Sequence, residues 1–210
     1  QNPEPLVRAA ERAPTHEELR QFDGHFDTMV GLARISTKSG QIDVDAAGHQ
    51  FRLVPHEDGL LTIKYKVFGM LPVRVGAFED IHLSMADVDG RQIIVGRIGD
   101  ESLIFGEKLK PSAIPERFLQ HLGHYEIVGK IDGPSPDRLL LKEDHGILIG
   151  EAHFPEVPDL LLRIAFQPVS DNEVVTAGLG TSRGDTLRLI GAGDDATLGF
   201  SGIQLRKKLN

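Results

Sequence analysis

The chain has 210 residues, enough for one large domain or two small ones, and no cysteine, which excludes disulfides and thiolate chemistry and leaves the redox compartment open. Hydrophobic residues make up 40% and charged residues 26%, a globular balance that argues against general disorder. The formal net charge of −8 argues against a phosphate backbone as main partner and against polybasic membrane contacts, and no apolar run approaches the roughly 18 residues of a membrane helix.

The opening Gln1-Asn2-Pro3-Glu4-Pro5 carries neither an initiator Met nor a signal-peptide pattern, so the expectation is a piece of something longer. Residues 1–14, with Pro3, Pro5 and Pro14, read as linker. Residues 15–20 read as a short helical turn, with Thr15 as N-cap and Glu18 at the capping-box position.

From there on, short alternating or apolar runs are separated by turn signals, as in antiparallel all-β domains. The first set comprises residues 29–35, 41–45, 49–54, 60–68, 81–85, 92–95 and 102–105. Lys38-Ser39-Gly40, Ala47-Gly48, Asp89-Gly90 and Gly99-Asp100 punctuate it. Residues 110–120 form a connector in which Ser112 or Pro115 can open a second helical turn. The second set comprises residues 124–128, 138–142, 147–149, 160–166, 173–176, 186–190 and 198–203.

The two sets start alike. Gln21-Phe22-Asp23-Gly24-His25-Phe26-Asp27 and Gln120-His121-Leu122-Gly123-His124-Tyr125-Glu126 both read Gln-x-x-Gly-His-aromatic-acid, 99 residues apart, and each follows a short helix. That period is too long for a solenoid unit and suits duplicated domains. The expected architecture is therefore all-β: two tandem antiparallel up-and-down barrels or half-barrels of about seven or eight strands, each led by a short helical turn, over residues 15–110 and 111–210.

The catalytic motifs are weak. Gly180-Thr181-Ser182-Arg183-Gly184 matches a nucleophile elbow, but an alternating strand pattern follows it instead of a helix, and the last histidine, His153, precedes Ser182. Lys38-Ser39-Gly40 resembles the Lys-Ser/Thr-Gly element of penicillin-binding enzymes, yet no serine has a lysine three residues later, so the acylation pair is missing. Asp87-Val88-Asp89-Gly90 would need acidic residues where Met85 and Gly96 stand to be a calcium loop. His121, His124 and Glu126 are a possible ligand set on a turn, without a zinc-helix context. His25 and His124 are better read as strand-entry residues with an imidazole nitrogen on backbone. Phe22, Phe26, Phe51, Phe68, Tyr125 and Phe166 read as barrel core ahead of a ligand-cavity lining.

The entry strings Leu19-Arg20-Gln21-Phe22-Asp23-Gly24-His25-Phe26 and Phe118-Leu119-Gln120-His121-Leu122-Gly123-His124-Tyr125, behind a Pro/Ala-rich linker, carry a resemblance. So, more loosely, does Phe51-Arg52-Leu53-Val54-Pro55. The chain resembles the lipocalin-like accessory domains that follow the catalytic domain in beta-lactamase-related, penicillin-binding-protein-like serine hydrolases. Those enzymes usually carry one such barrel, and this chain would carry two. Their catalytic Ser, Lys and Tyr belong to a domain outside this sequence, so none is assigned here. The resemblance implies a non-catalytic accessory module with no catalytic, cofactor or metal residues. It would pack on or regulate the serine-hydrolase domain of the same parent chain, or mediate homo-oligomers, in an exported bacterial protein of the periplasm or exterior. The alternative expectation is a free-standing binding protein for a small apolar ligand, which requires a barrel interior left unfilled by small inward residues.

Overall fold

The structure is a computed structural model, and it describes residues 9–65, 80–129, 135–157, 160–178, 184–191, 193 and 196–208. The fold is all-β, with two closed antiparallel barrels of eight strands. A short helix leads each barrel, α1 (His16–Phe22) and α2 (Glu116–Gln120).

The first barrel comprises β1 (Gly24–Thr28), β2 (Gly31–Ser36), β3 (Ile42–Ala46), β4 (His49–Pro55), β5 (Leu61–Tyr65), β6 (Ile81–Val88), β7 (Arg91–Ile98) and β8 (Glu101–Lys108). It closes by pairing β1 with β8, Phe26 opposite Lys108. The second comprises β9 (Gly123–Val128), β10 (Arg138–Asp144), β11 (Ile147–His153), β12 (Leu161–Ser170), β13 (Glu173–Thr176), β14 (Thr186–Ile190), β15 (Thr197–Phe200) and β16 (Ile203–Lys207). It closes by pairing β16 with β9, Leu205 opposite Ile127. Closure satisfies the backbone donors and acceptors that a sheet edge would expose. By packing, the chain divides into one unit of Gln1–Gly24, Ile35–Val44 and Gln50–Phe105 and another of His25–Arg34, Asp45–His49 and Gly106–Asn210, so the second barrel lies wholly within the latter.

The helix lead-ins follow from local chemistry. Thr15 Oγ1 accepts from the Glu18 N–H at 3.2 Å and Glu18 Oε2 accepts from the Thr15 N–H at 2.8 Å, a reciprocal capping box. Arg12 grips the same Glu18 carboxylate through both terminal nitrogens, at 2.8 and 2.7 Å, and holds its carboxyl below the usual range. At α2 the N-cap position is Pro115, which has no side-chain bond to offer. At the repeated Gly-His-aromatic string, Gly24 has φ of +138° and Gly123 of +137°, a conformation that L side chains rarely adopt. The repeat therefore marks the same backbone step from helix to strand in both copies.

Two apolar runs that read as single strands each include a hairpin turn, one at its start and one within it. In residues 29–35, Met29 and Val30 form an exposed turn between β1 and β2, each 58% exposed. In residues 198–203, Ser201-Gly202 form the turn between β15 and β16. Lys38-Ser39-Gly40 lies in the turn between β2 and β3. Asp89 and Gly90 both take positive φ, 53° and 73°, and the Asp87 carboxylate accepts from the Gly90 N–H at 3.0 Å, so this segment is a tight hairpin. Residues 66–68 of the longest expected run lie outside the described residues.

Candidate functional site

The register of the second barrel carries one face continuously around the wall. Tyr125 opposes Leu139, Leu139 opposes Ala152 and Ala152 opposes Leu162. Gly150 opposes Ile164, one step further along the same face. Val174 opposes Leu187, Leu187 opposes Phe200, and Phe200 opposes Ile203. Leu205 opposes Ile127 and returns the face to β9. Because side chains alternate along a strand, this whole set shares the interior.

One end of that interior is packed. Phe118 of α2 is fully buried in a cluster with Tyr125, Leu141, Leu148, Phe166, Leu189 and Leu198. Toward the other end the wall becomes Gly150 and Ala152, which contribute almost no side-chain volume, and the interior is left unfilled. A cavity of ≈ 250 Å³ lies there, lined by Ile127, Leu139, Leu162, Ile164, Phe200, Ile203 and Leu205, with Pro136 and Phe154 beside the strand ends. Leu139, Ala152, Leu162, Ile164, Phe200 and Ile203 are half-buried although they point inward, which marks the cavity as reachable from outside.

The polar groups on this inner face are occupied. Tyr125 Oη donates to the His121 carbonyl at 2.5 Å, and burial pushes its pKa up to about 12, so it stays a neutral donor. Thr176 Oγ1 accepts from the Asp185 N–H at 3.1 Å. Among the described residues no buried side-chain nitrogen or oxygen lacks a hydrogen-bond partner. Glu151 borders the cavity, but the register turns its side chain to the outer face. There Lys142 Nζ (2.6 Å) and Arg163 Nε (2.8 Å) hold it. Burial alone would raise the Glu151 pKa, and the hydrogen bonds from Lys142 and Arg163 outweigh it and leave the carboxyl below its usual range.

The other singled-out residues do not converge. His121 puts Nδ1 2.6 Å from the Arg117 carbonyl and Nε2 3.3 Å from that of Gly193, while His124 faces solvent and Glu126 pairs with Arg206 at 2.6 Å. No cluster of three metal-ligating side chains occurs among the described residues. His25 departs from the expected backbone bond: its Nε2 lies 2.9 Å from the Asp144 carboxylate, 119 residues away. Burial pushes the His25 pKa down, against the pull of Asp144. Ser182 lies outside the described residues, and β14 starts at Thr186, so a strand follows the elbow-like string. Of the aromatic candidates, Tyr125 and Phe166 contribute to the cavity wall, Phe22 and Phe26 are fully buried core, Phe51 stacks edge-on to Tyr65, and Phe68 lies outside the described residues. No described helix is long and apolar enough to cross a membrane.

The feature that residue types alone did not reveal is the pairing of Gly150 and Ala152 on one face of β11. Compared with protein-family models, with curated proteins and with solved structures, the chain matches none.

Proposed function

We propose that this chain is a binding module whose second barrel holds a small apolar ligand, with no chemical step of its own. The observation that carries this reading is the reachable, apolar-lined interior of ≈ 250 Å³ beside Gly150 and Ala152. Well-packed interiors leave few voids larger than a water molecule, so an apolar space of this size is suited to an apolar guest. Its volume falls just under the usual range of about 300–1,000 Å³ for ligand pockets, which favours a small ligand. The role implied by the entry strings, an accessory module on a serine-hydrolase domain, is a separate proposal resting on that resemblance alone. It is compatible with a barrel that binds.

The test is diffraction from crystals of the full chain under xenon pressure. The expected result is a xenon site inside the second barrel, absent in Ala152→Leu, with the thermal transition of the variant retained. A second barrel that takes up no xenon overturns the reading.

A further inference from the structure

Resting on the reading of the second barrel as a ligand site, the charge pattern of its wall points to a narrower class. We infer that the ligand is an uncharged, compact hydrocarbon-like molecule of about ten carbon atoms, and that carboxylate-bearing lipids are excluded. The size follows by proportion. An apolar cavity of about 150 Å³ accommodates benzene, and the space here is ≈ 250 Å³.

The charge selectivity follows from which face carries the ions. Lys142, Glu151 and Arg163 stand on β10, β11 and β12 beside the cavity, yet all three point to the outer face, where Glu151 holds both cations and Asp45 supplies the second carboxylate to Arg163 at 2.5 Å. Of the polar groups on the inner face, Tyr125 spends its proton on the His121 carbonyl, and Lys207, opposite Tyr125, reaches the Gln120 carbonyl at 3.3 Å on the α2 side. A carboxylate drawn into the cavity would lose its hydration and, among the described residues that line it, meet no cation and no free donor to replace that hydration. Beside the strand ends, the Asp137 carboxylate faces both His153 at 2.7 Å and the Arg138 guanidinium at 3.8 Å, so these side chains are already engaged with a carboxylate of the protein. The His153 contact holds the Asp137 carboxyl below its usual range, so it stays ionised at neutral pH.

The deciding experiment titrates the full chain at neutral pH with naphthalene, naphthoate and palmitate, reading methyl chemical shifts of the inner wall and fitting the dissociation constants. Naphthalene is expected to bind one per chain and to perturb Ala152, with naphthoate weaker by about 100-fold or more. Ala152→Leu is expected to abolish naphthalene binding while its circular dichroism and thermal transition stay native. Binding of naphthoate or palmitate as tight as naphthalene overturns the uncharged-ligand inference and leaves the barrel a ligand site. Failure of naphthalene where xenon still enters overturns the size assignment. Failure of naphthalene and xenon together overturns the underlying reading as well.

Discussion

The two barrels share strand number, meander order, a leading helix and the same glycine step into the first strand, but they fill their walls differently. In the first barrel the bare patch at Gly96 is covered by Phe105, whose ring occupies the place where a Cβ at Gly96 would lie. In the second, a Cβ at Gly150 would meet the edge of the Phe166 ring at 3.0 Å, and the neighbouring Ala152 lines the cavity. Two copies of one backbone plan can therefore be a packed scaffold at one glycine and a receptacle at another. The difference comes from how closely the aromatic ring of the neighbouring strand approaches: Phe105 already fills the place of a side chain at Gly96, whereas Phe166 leaves nearly enough room for one at Gly150.

Removing the packed end of the second barrel would produce the largest change. Phe118→Ala deletes a fully buried ring from the cluster below the cavity and is expected to destabilise by about 3–5 kcal/mol in urea unfolding. A loss below about 1 kcal/mol would mean that α2 does not seal the barrel.

Next is a paired comparison at the two glycines. Gly96→Ala drives a methyl into the Phe105 ring and is expected to cost about 1–3 kcal/mol, whereas Gly150→Ala needs Phe166 to yield by only a few tenths of an ångström and should cost under about 1 kcal/mol. Equal losses in denaturation midpoint at the two positions would erase the contrast drawn between the walls.

The lead-in helices give a smaller contrast. Thr15→Ala breaks the capping box and is expected to cost about 1 kcal/mol, while Pro115→Ala removes no side-chain cap and should change stability by only a few tenths, about 0.5 kcal/mol at most. Thermal melts of both variants check this.

The smallest effect is a proton. His25 has its pKa lowered by burial, so below about pH 6.5 the unfolded chain takes up a proton that the folded chain resists. The stability present at higher pH is lost as pH falls from that value toward the depressed folded-state pKa. Urea unfolding at pH 7.5 and 5.5 should show this loss, and His25→Gln should flatten it.

Much of the architecture was legible in the sequence because turn chemistry is local. Asp89-Gly90, Lys38-Ser39-Gly40 and the Thr15/Glu18 box each state their own geometry within four residues. Apolar content misled where a turn is itself apolar: Met29-Val30 reads as the start of the strand over 29–35 but forms the turn before it, and its exposure is visible only in the fold. The cavity was illegible for a different reason. Gly150 and Ala152 are unremarkable until the pairings of β10, β11 and β12 show that they face the same interior as Leu139 and Ile164. The partner of His25 was equally hidden, since Asp144 is distant in sequence and only folding brings it near.

The closing pairs, β1 with β8 and β9 with β16, also set a schedule for synthesis at the ribosome. Each barrel's founding strand must wait for its last before the ring can shut. The first ring can be completed once Lys108 has emerged, while the strand bearing Ile127 stays unpaired on one side until Leu205 is made. During that interval the nascent second ring exposes an open strand edge with unpaired backbone donors and acceptors, the state in which a sheet protein is most open to mispairing. A message truncated before β16 would leave that edge permanently open, so a short deletion at this end should do more harm to folding yield than its length suggests.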